Sequence, residues 1–378
     1  MGNKIVVKKD KSGEGLQIAL LDTHDLWVKK GVTVETTTFD YVAFGYGSGH
    51  AAQIDGTLLG SSSQSSGIQL GNQWDIDQKE TLVISKSGRI EVTDIGATMA
   101  GWGSRIVNAG TIEAEIGMVL GGENPTSTTR VTNSGTIRVD EIGIEIRDEA
   151  TETIKLINIG KILTYENGED DWLDFAYDAE FGENRDIIIN KGSMHGLIAL
   201  GGGDDVYNGA KGQTSIGNHT WAVWGGAGDD VLTGGRKREL FDGGAGNDHL
   251  NGGGGRDTLY GKQGQDILKG GKGDDLFIYN GLEQSTVALD GQDTIVDFRI
   301  GDKIEIEIEF DDELEVELQF VDSAAFSGKA GEVRFDLGKK NTTVSADFDG
   351  DGTADFMINV LGKYRFADFD FNFIEVNW

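Results

Sequence analysis

Between positions 225 and 278 a nine-residue frame repeats six times without a gap, and nothing else in the chain restricts its fold so tightly. The units are GGAGDDVLT, GGRKRELFD, GGAGNDHLN, GGGGRDTLY, GKQGQDILK and GGKGDDLFI. An acidic residue recurs at Asp230, Glu239, Asp248, Asp257, Asp266 and Asp275. A large apolar residue recurs at Leu232, Phe241, Leu250, Leu259, Leu268 and Phe277. An outlying copy of the frame, LGGGDDVYN, covers Leu200–Asn208. Fixed periods mark repeat architectures, in which each unit buries its apolar face only by stacking on its neighbours. The glycines look unfavourable at first, because glycine loses more backbone freedom on folding than any other residue. They also allow turns that other residues reach only at a cost, and such turns direct carbonyl oxygens toward a common point.

The units resemble the repeats-in-toxin nonapeptide, G-G-x-G-x-D-x-U-x with U apolar. The resemblance implies a parallel β-roll in which six residues turn, three form a strand, and two units complete a coil. It also implies Ca²⁺, which takes about six to eight oxygen ligands at about 2.3–2.6 Å, held between turns two repeats apart. The implied carboxylate ligands are Asp205, Asp230, Glu239, Asp248, Asp257, Asp266 and Asp275. They pair as Asp230 with Asp248, Asp248 with Asp266, Glu239 with Asp257, and Asp257 with Asp275. The remaining ligands fall on turn positions: Gly226 and Gly228; Gly243, Gly244, Ala245 and Gly246; and Gly252, Gly253, Gly254 and Gly255. Two further turns offer Gly261, Gln263 and Gly264, then Gly270, Gly271, Lys272 and Gly273. The unit GGRKRELFD departs from the pattern, with Lys237 for the fourth glycine and Glu239 for the aspartate. Glycine-rich turns without metal are the alternative, at the cost of stacking carboxylates that repel one another.

A second grammar precedes the first. The frame Asn-x-Gly, with an apolar residue two positions after the glycine, appears as NAGTI, NSGTI, NIGKI and NKGSM, with KSGRI a weaker relative. Its glycines are Gly88, Gly110, Gly135, Gly160 and Gly192, at intervals of 22, 25, 25 and 32 residues. EIG markers follow two of them, at Glu115 and Glu141. Turns and short strands at this interval, with no room for helices, predict a right-handed parallel β-helix whose coils rise by about 4.8 Å. Ile90, Ile112, Ile137, Ile162 and Met194 should then stack inward, and the acidic insert 166–184 should leave the coil as a loop. A β-sandwich with incidental Asn-Gly turns is the competing reading.

The expected fold is therefore all-β: a right-handed parallel β-helix continuing into a calcium-binding parallel β-roll, with a C-terminal β cap. The boundaries read as 1–30 for an N-terminal cap, 31–200 for the β-helix, 201–280 for the roll and 281–378 for the capping and secretion region. DGQDTIVDFRIGDKIEI and ADFDGDGTADFMI look like the C-terminal domain of serralysin-type secreted proteases. That resemblance implies export by type I secretion machinery to an extracellular location. DFDGDGTAD has the spacing of an EF-hand-like loop in Asp347, Asp349 and Asp351, so it is either a further Ca²⁺ site or an acidic turn. IEIEIEF and LEVELQF alternate strictly and predict an acid-faced strand pair closing the solenoid edge.

Charge and motifs exclude several functions. The 64 acidic and 33 basic residues give a net charge of −31, which disfavours nucleic acid and anionic membranes and suits cations. No apolar run reaches a membrane span. The N-terminus lacks the apolar stretch of a secretory signal peptide. Cysteine is absent, so neither disulfides nor thiolate chemistry is available. The sequence has no H-E-x-x-H and no G-x-S-x-G. The sequence reading is a secreted Ca²⁺-binding β-solenoid that folds on export and acts as an adhesion, matrix or surface-interaction protein, with an extracellular glycan or surface as partner. The alternative is a polysaccharide lyase or uronate epimerase using the β-helix face, where Lys161, Arg138 and His195 would fall on neighbouring coils.

Overall fold

The computed structural model describes residues 3–21, 24–47, 49–71, 79–147, 150–164, 174–215, 223–281, 284–288, 291–308, 318–367 and 370–375. It is all-β, with long runs of parallel strands and no α-helix among the described residues. The chain divides into two compact units, Met1–Ala222 and Val223–Trp378.

In the first unit every described strand pair is parallel, so the sandwich reading is set aside. One face stacks Thr81–Ile84, Arg105–Asn108, Thr128–Asn133, Thr153–Asn158 and Asp186–Asn190. The strands after each Asn-x-Gly turn stack in the same order. Their register runs Ile90, Ile112, Ile137, Ile162, Met194, and all five side chains are fully buried. Residues 1–30 carry strands of the same kind: Lys4–Val7 pairs in parallel with Asp25–Val28, and Ile18–Leu20 with Ala43–Gly45. The EIG marker coincides with a register irregularity between Ala114 and Ile116, where a long strand bends.

The asparagines of the frame do more than turn the chain. Asn108 Nδ2 donates to Asn133 Oδ1 (2.9 Å), Asn133 to Asn158 (2.9 Å) and Asn158 to Asn190 (3.0 Å). All four are buried, so each amide satisfies its neighbour in a place water does not reach. Asn133→Ala removes the middle rung and leaves the Asn158 amide oxygen without its donor. An unsatisfied buried polar group costs about 1–3 kcal/mol. The first unit should lose stability by that amount, as read from the urea midpoint of its unfolding transition.

One stretch differs from its expected form. Phe175–Asp178, inside the acidic insert expected as a loop, is a strand that pairs with Thr136–Ile146 and Leu197–Ala199. Ala176 and Tyr177 are fully buried there, so local apolar burial outweighs the acidic composition. Residues 166–173 of the insert lie outside the described residues.

The second unit stacks strands at the repeat interval. Leu232, Leu250, Leu268 and Ile295 are in register on one face, and Phe241, Leu259, Phe277 and Ile304 on the other. All eight are almost fully buried. Partners stand 18 residues apart within the repeats, so two nonapeptides make one coil. The strand Lys303–Ile308 lies in parallel between Leu276–Tyr279 and Phe371–Glu375. It continues the stack. Of the strand expected beside it, Gln319–Phe320 is paired with Glu332–Val333, and residues 309–317 lie outside the described residues. The roll register seats Ile304 and Ile306 in the core. An antiparallel meander, Glu332–Leu337, Asn341–Asp347 and Phe356–Leu361, then lays its last strand in parallel on Thr294–Ile295. These additions cover the sheet edge that a roll would otherwise expose.

Candidate metal centre

Each repeat turns its acidic residue inward, and the turn leaves no room for anything else. Gly244 and Gly246 have φ of 102° and 137°, a region that side-chain-bearing residues rarely adopt. Gly243 lies so close to the carboxylate of its own repeat that a Cβ would stand 2.3 Å from Asp248 Oδ2. The first glycine of the frame is thus the space the carboxylate needs. At the second position of one repeat the frame carries Lys262, held at φ 74°. Left-handed backbone costs a non-glycine residue about 1–2 kcal/mol. Lys262→Gly relieves that strain but also loses the Nζ bond to Asn280 (3.0 Å) and the ion pair with Asp242 (4.0 Å), so the stability of the Ca²⁺-loaded protein should change by less than about 1 kcal/mol in denaturant titration.

The carboxylates form a ladder through the backbone. The Asp230 amide donates to Asp248 Oδ1 (2.9 Å), Glu239 to Asp257 (2.8 Å), Asp248 to Asp266 (2.8 Å) and Asp257 to Asp275 (3.0 Å). One oxygen of each acceptor is thereby used. The other, Oδ2 of Asp248, Asp257, Asp266 and Asp275, is buried without a hydrogen-bond partner, and so is Glu239 Oε2. Burial pushes Asp248 and Glu239 up to about 8, Asp266 to about 7 and Asp257 to about 6. A stack of buried oxygens that cannot all stay charged unaided is what a hard dication would neutralise, and the donors are oxygen only. The residues present fit calcium.

The divergent unit is brought to the same column but with a different turn. Gly235 is outside the positive-φ set, and Glu239 Oε1 bends back to accept the Gly235 amide at 3.1 Å. Asp205, in the first unit, makes the same contact as the repeats, accepting the Asp186 amide at 2.6 Å.

Three ligand-type residues beyond the repeats join the ladder. The Asp266 amide donates to Asp293 Oδ1 (2.9 Å) and the Asp275 amide to Asp302 Oδ1 (3.0 Å). Asp297 accepts the Gly270 and Gly271 amides at 3.0 Å each. The step is 27 residues here, so a nine-residue frame ending at 278 misses them. Their signal was the D-x-U core of the repeat, present as Asp293-Thr-Ile295 and Asp302-Lys-Ile304. At the last repeat Arg299 reaches Gly271 O, Gly273 O (3.3 Å) and Asp275 Oδ2 (3.8 Å), placing a guanidinium against the same kind of oxygen set.

The EF-hand-like loop keeps two of its three expected carboxylates. Ligand oxygens of Asp347, Asp349 and Asp355 lie within 4.8 Å of one another. Asp351 is not among them; its Oδ1 accepts the Thr353 amide at 2.7 Å. Asp355, eight residues after Asp347, takes its place, matching the ninth position of such a loop. Asp347 itself accepts the Gly350 and Gly352 amides at 2.7 and 2.9 Å.

On the β-helix face the expected columns are in register, Arg89, Thr111, Thr136, Lys161, Ser193 and Glu91, Glu113, Arg138, Leu163, His195. Arg138 pairs with Glu113 at 2.7 Å, and Glu113 with Arg89 at 2.5 Å. Leu163 separates Arg138 from His195. The charges here form a cross-strand ladder and do not converge on a reacting point.

Residues 161–372 match the family described as Peptidase M10 serralysin C terminal. No curated protein matches the chain. The match takes in all six nonapeptides, the continuing carboxylate ladder and the antiparallel meander, and covers more than half of the sequence, so the chain belongs to the serralysin C-terminal family of the M10 peptidases.

Proposed function

We propose that this is a secreted Ca²⁺-binding β-solenoid protein that orders on export and serves as an adhesion, matrix or surface-interaction protein. Family membership implies repeats-in-toxin units, a β-roll, calcium binding and type I secretion. The observation that carries the reading is the column of buried carboxylate oxygens left without hydrogen-bond partners from Glu239 to Asp293. When bound, calcium would supply the positive charge that lets these groups stay ionised. Asp248 with Asp266, Asp257 with Asp275, and the carbonyls of the adjoining glycine turns are the residues that would hold it. Asp230 with Asp248 and Glu239 with Asp257 extend the set, and Asp347, Asp349 and Asp355 would hold an outlying ion. The protease chemistry associated with the family name has no residues here: the chain contains no H-E-x-x-H.

Calorimetric titration of the full chain tests the reading. Asp248 lies in two of the pairs and Asp230 in one, so Asp248→Ala should lower both Ca²⁺ stoichiometry and stability more than Asp230→Ala. Equal losses would contradict shared ligands. Arg299→Gln removes the guanidinium from the last turn and should raise the stoichiometry by one ion. An unchanged count would show that Arg299 does not stand in for a cation.

A further inference from the structure

The Asn-x-Gly corner of the first unit forms a trough, and its shape follows from the stacking of the coils. Each glycine of the frame sits on the carbonyl of the one below. A Cβ on Gly135 would stand 2.1 Å from Gly110 O, and one on Gly160 would stand 2.1 Å from Gly135 O. The corner therefore has a bare backbone floor, and the residues on either side of each glycine become its rims. The result is a groove of about 610 Å³. It crosses six coils, from Lys86 to Gln213, and five strand spacings make it roughly 24 Å long.

Its rims carry charge of one sign. Lys86, Lys161, Lys191 and Lys211 line the groove, together with hydroxyls such as Thr136 and Ser193, and no aspartate or glutamate lines it. All four lysines are exposed. Among the described residues none of them is paired with a carboxylate within 4 Å. In the same unit Arg89 and Arg138 are both paired with Glu113. In a chain with 64 acidic residues against 33 basic ones, a groove without a single carboxylate stands apart from its surroundings.

We infer that this groove binds an extended acidic polysaccharide, which names a partner for the surface-interaction role and rests on that reading. A sugar unit in an extended polysaccharide advances by close to one strand spacing, so successive rings can meet successive coils. Their carboxylates or sulfates then meet the lysines, and their hydroxyls meet Thr136 and Ser193. Fields are screened beyond about 8 Å at physiological ionic strength, so the local lysines outweigh the net charge of the chain. Duplex DNA carries a charge about every 1.7 Å, a denser polyanion that the acidic remainder of the surface would repel.

Full-length protein in saturating Ca²⁺ should be titrated with hyaluronate, dextran sulfate, neutral dextran and duplex DNA. Binding is expected to the carboxylated or the sulfated polymer, to weaken with salt, and to be absent for neutral dextran. The two anionic arms distinguish which acid group is recognised. The variant K86Q/K161Q/K191Q/K211Q should bind at least tenfold more weakly. K8Q/K9Q/K339Q/K340Q, which removes the same charge from exposed sites elsewhere, should bind like the parent. The double variant K161Q/K191Q supplies the same comparison with a smaller change. Equal weakening by the groove and control variants, preference for DNA, or no binding to either acidic polymer would overturn the inference. None of those outcomes bears on the Ca²⁺ stoichiometry, so a failure of the groove remains distinguishable from a failure of the calcium reading.

Discussion

Chelating calcium from the full chain is expected to abolish the unfolding transition of Val223–Trp378 and to leave that of Met1–Ala222 in place. The difference lies in what each unit buries. The first is held by a fully apolar column and by an asparagine ladder whose amides satisfy one another, and its buried Glu80, Glu152 and Asp186 have both carboxylate oxygens hydrogen-bonded. The second stacks apolar residues of similar size, but beside them it buries Asp248, Asp257, Asp266, Asp275 and Asp293. A buried charge deprived of its partner costs about 3–5 kcal/mol, and a whole domain is stable by only about 5–15 kcal/mol. Two or three such groups are enough to unfold the unit. Ca²⁺ stabilises it by mass action on the folded state alone, and extracellular modules bind with dissociation constants of about 10⁻⁴–10⁻³ M. Low cytosolic calcium would therefore keep the unit unfolded during export. Circular dichroism melts at pH 8 should show two transitions in millimolar Ca²⁺ and one in chelator.

Protons should substitute in part for the metal. In the calcium-free protein, burial raises Asp248 and Glu239 to about 8, Asp266 to about 7, and Asp257 and Asp302 to about 6. Unfolded carboxylates titrate near 4. The folded unit therefore holds more protons than the unfolded chain between about pH 4 and pH 8. By linkage, stability falls as pH rises through that window and is fullest below it. Acidification from pH 8 to pH 5 in chelator should restore β signal to the second unit. In saturating Ca²⁺ the slope reverses, because a ligating carboxylate must give up its proton. Melting curves at pH 5, 6, 7 and 8 with and without Ca²⁺ should cross. Parallel curves would mean that the column does not titrate as its burial requires.

Much of this was legible in the residues. A period of nine fixes which side chains share a face, so the apolar columns could be assigned before any coordinates. Asn-x-Gly did the same for Ile112, Ile137 and Ile162. The misses have two causes. Asp293 and Asp302 complete the ladder from outside the periodic frame, because the chain inserts nine extra residues once, between Asp275 and Asp293, and keeps only the D-x-U core. Phe175–Asp178 becomes a strand because buried Ala176 and Tyr177 outweigh their acidic neighbours. Asp355 clusters with Asp347 and Asp349, while Asp351 accepts from the amide and hydroxyl of Thr353. In the first two cases a tertiary partner, which periodicity does not encode, decided the outcome; at Asp351 the partner is local, two residues along the chain.

The most direct test follows the ladder one amide at a time, by hydrogen exchange of the full chain with Ca²⁺ and with chelator. The amides of Asp230, Asp248, Asp257 and Asp266 donate to carboxylates one coil away. They should be strongly protected in Ca²⁺ and exchange freely in chelator, while amides of Arg105–Asn108 and Thr153–Asn158 stay protected in both. Ladder amides that remained protected in chelator at pH 8 would contradict the claim that calcium holds the buried carboxylates in place.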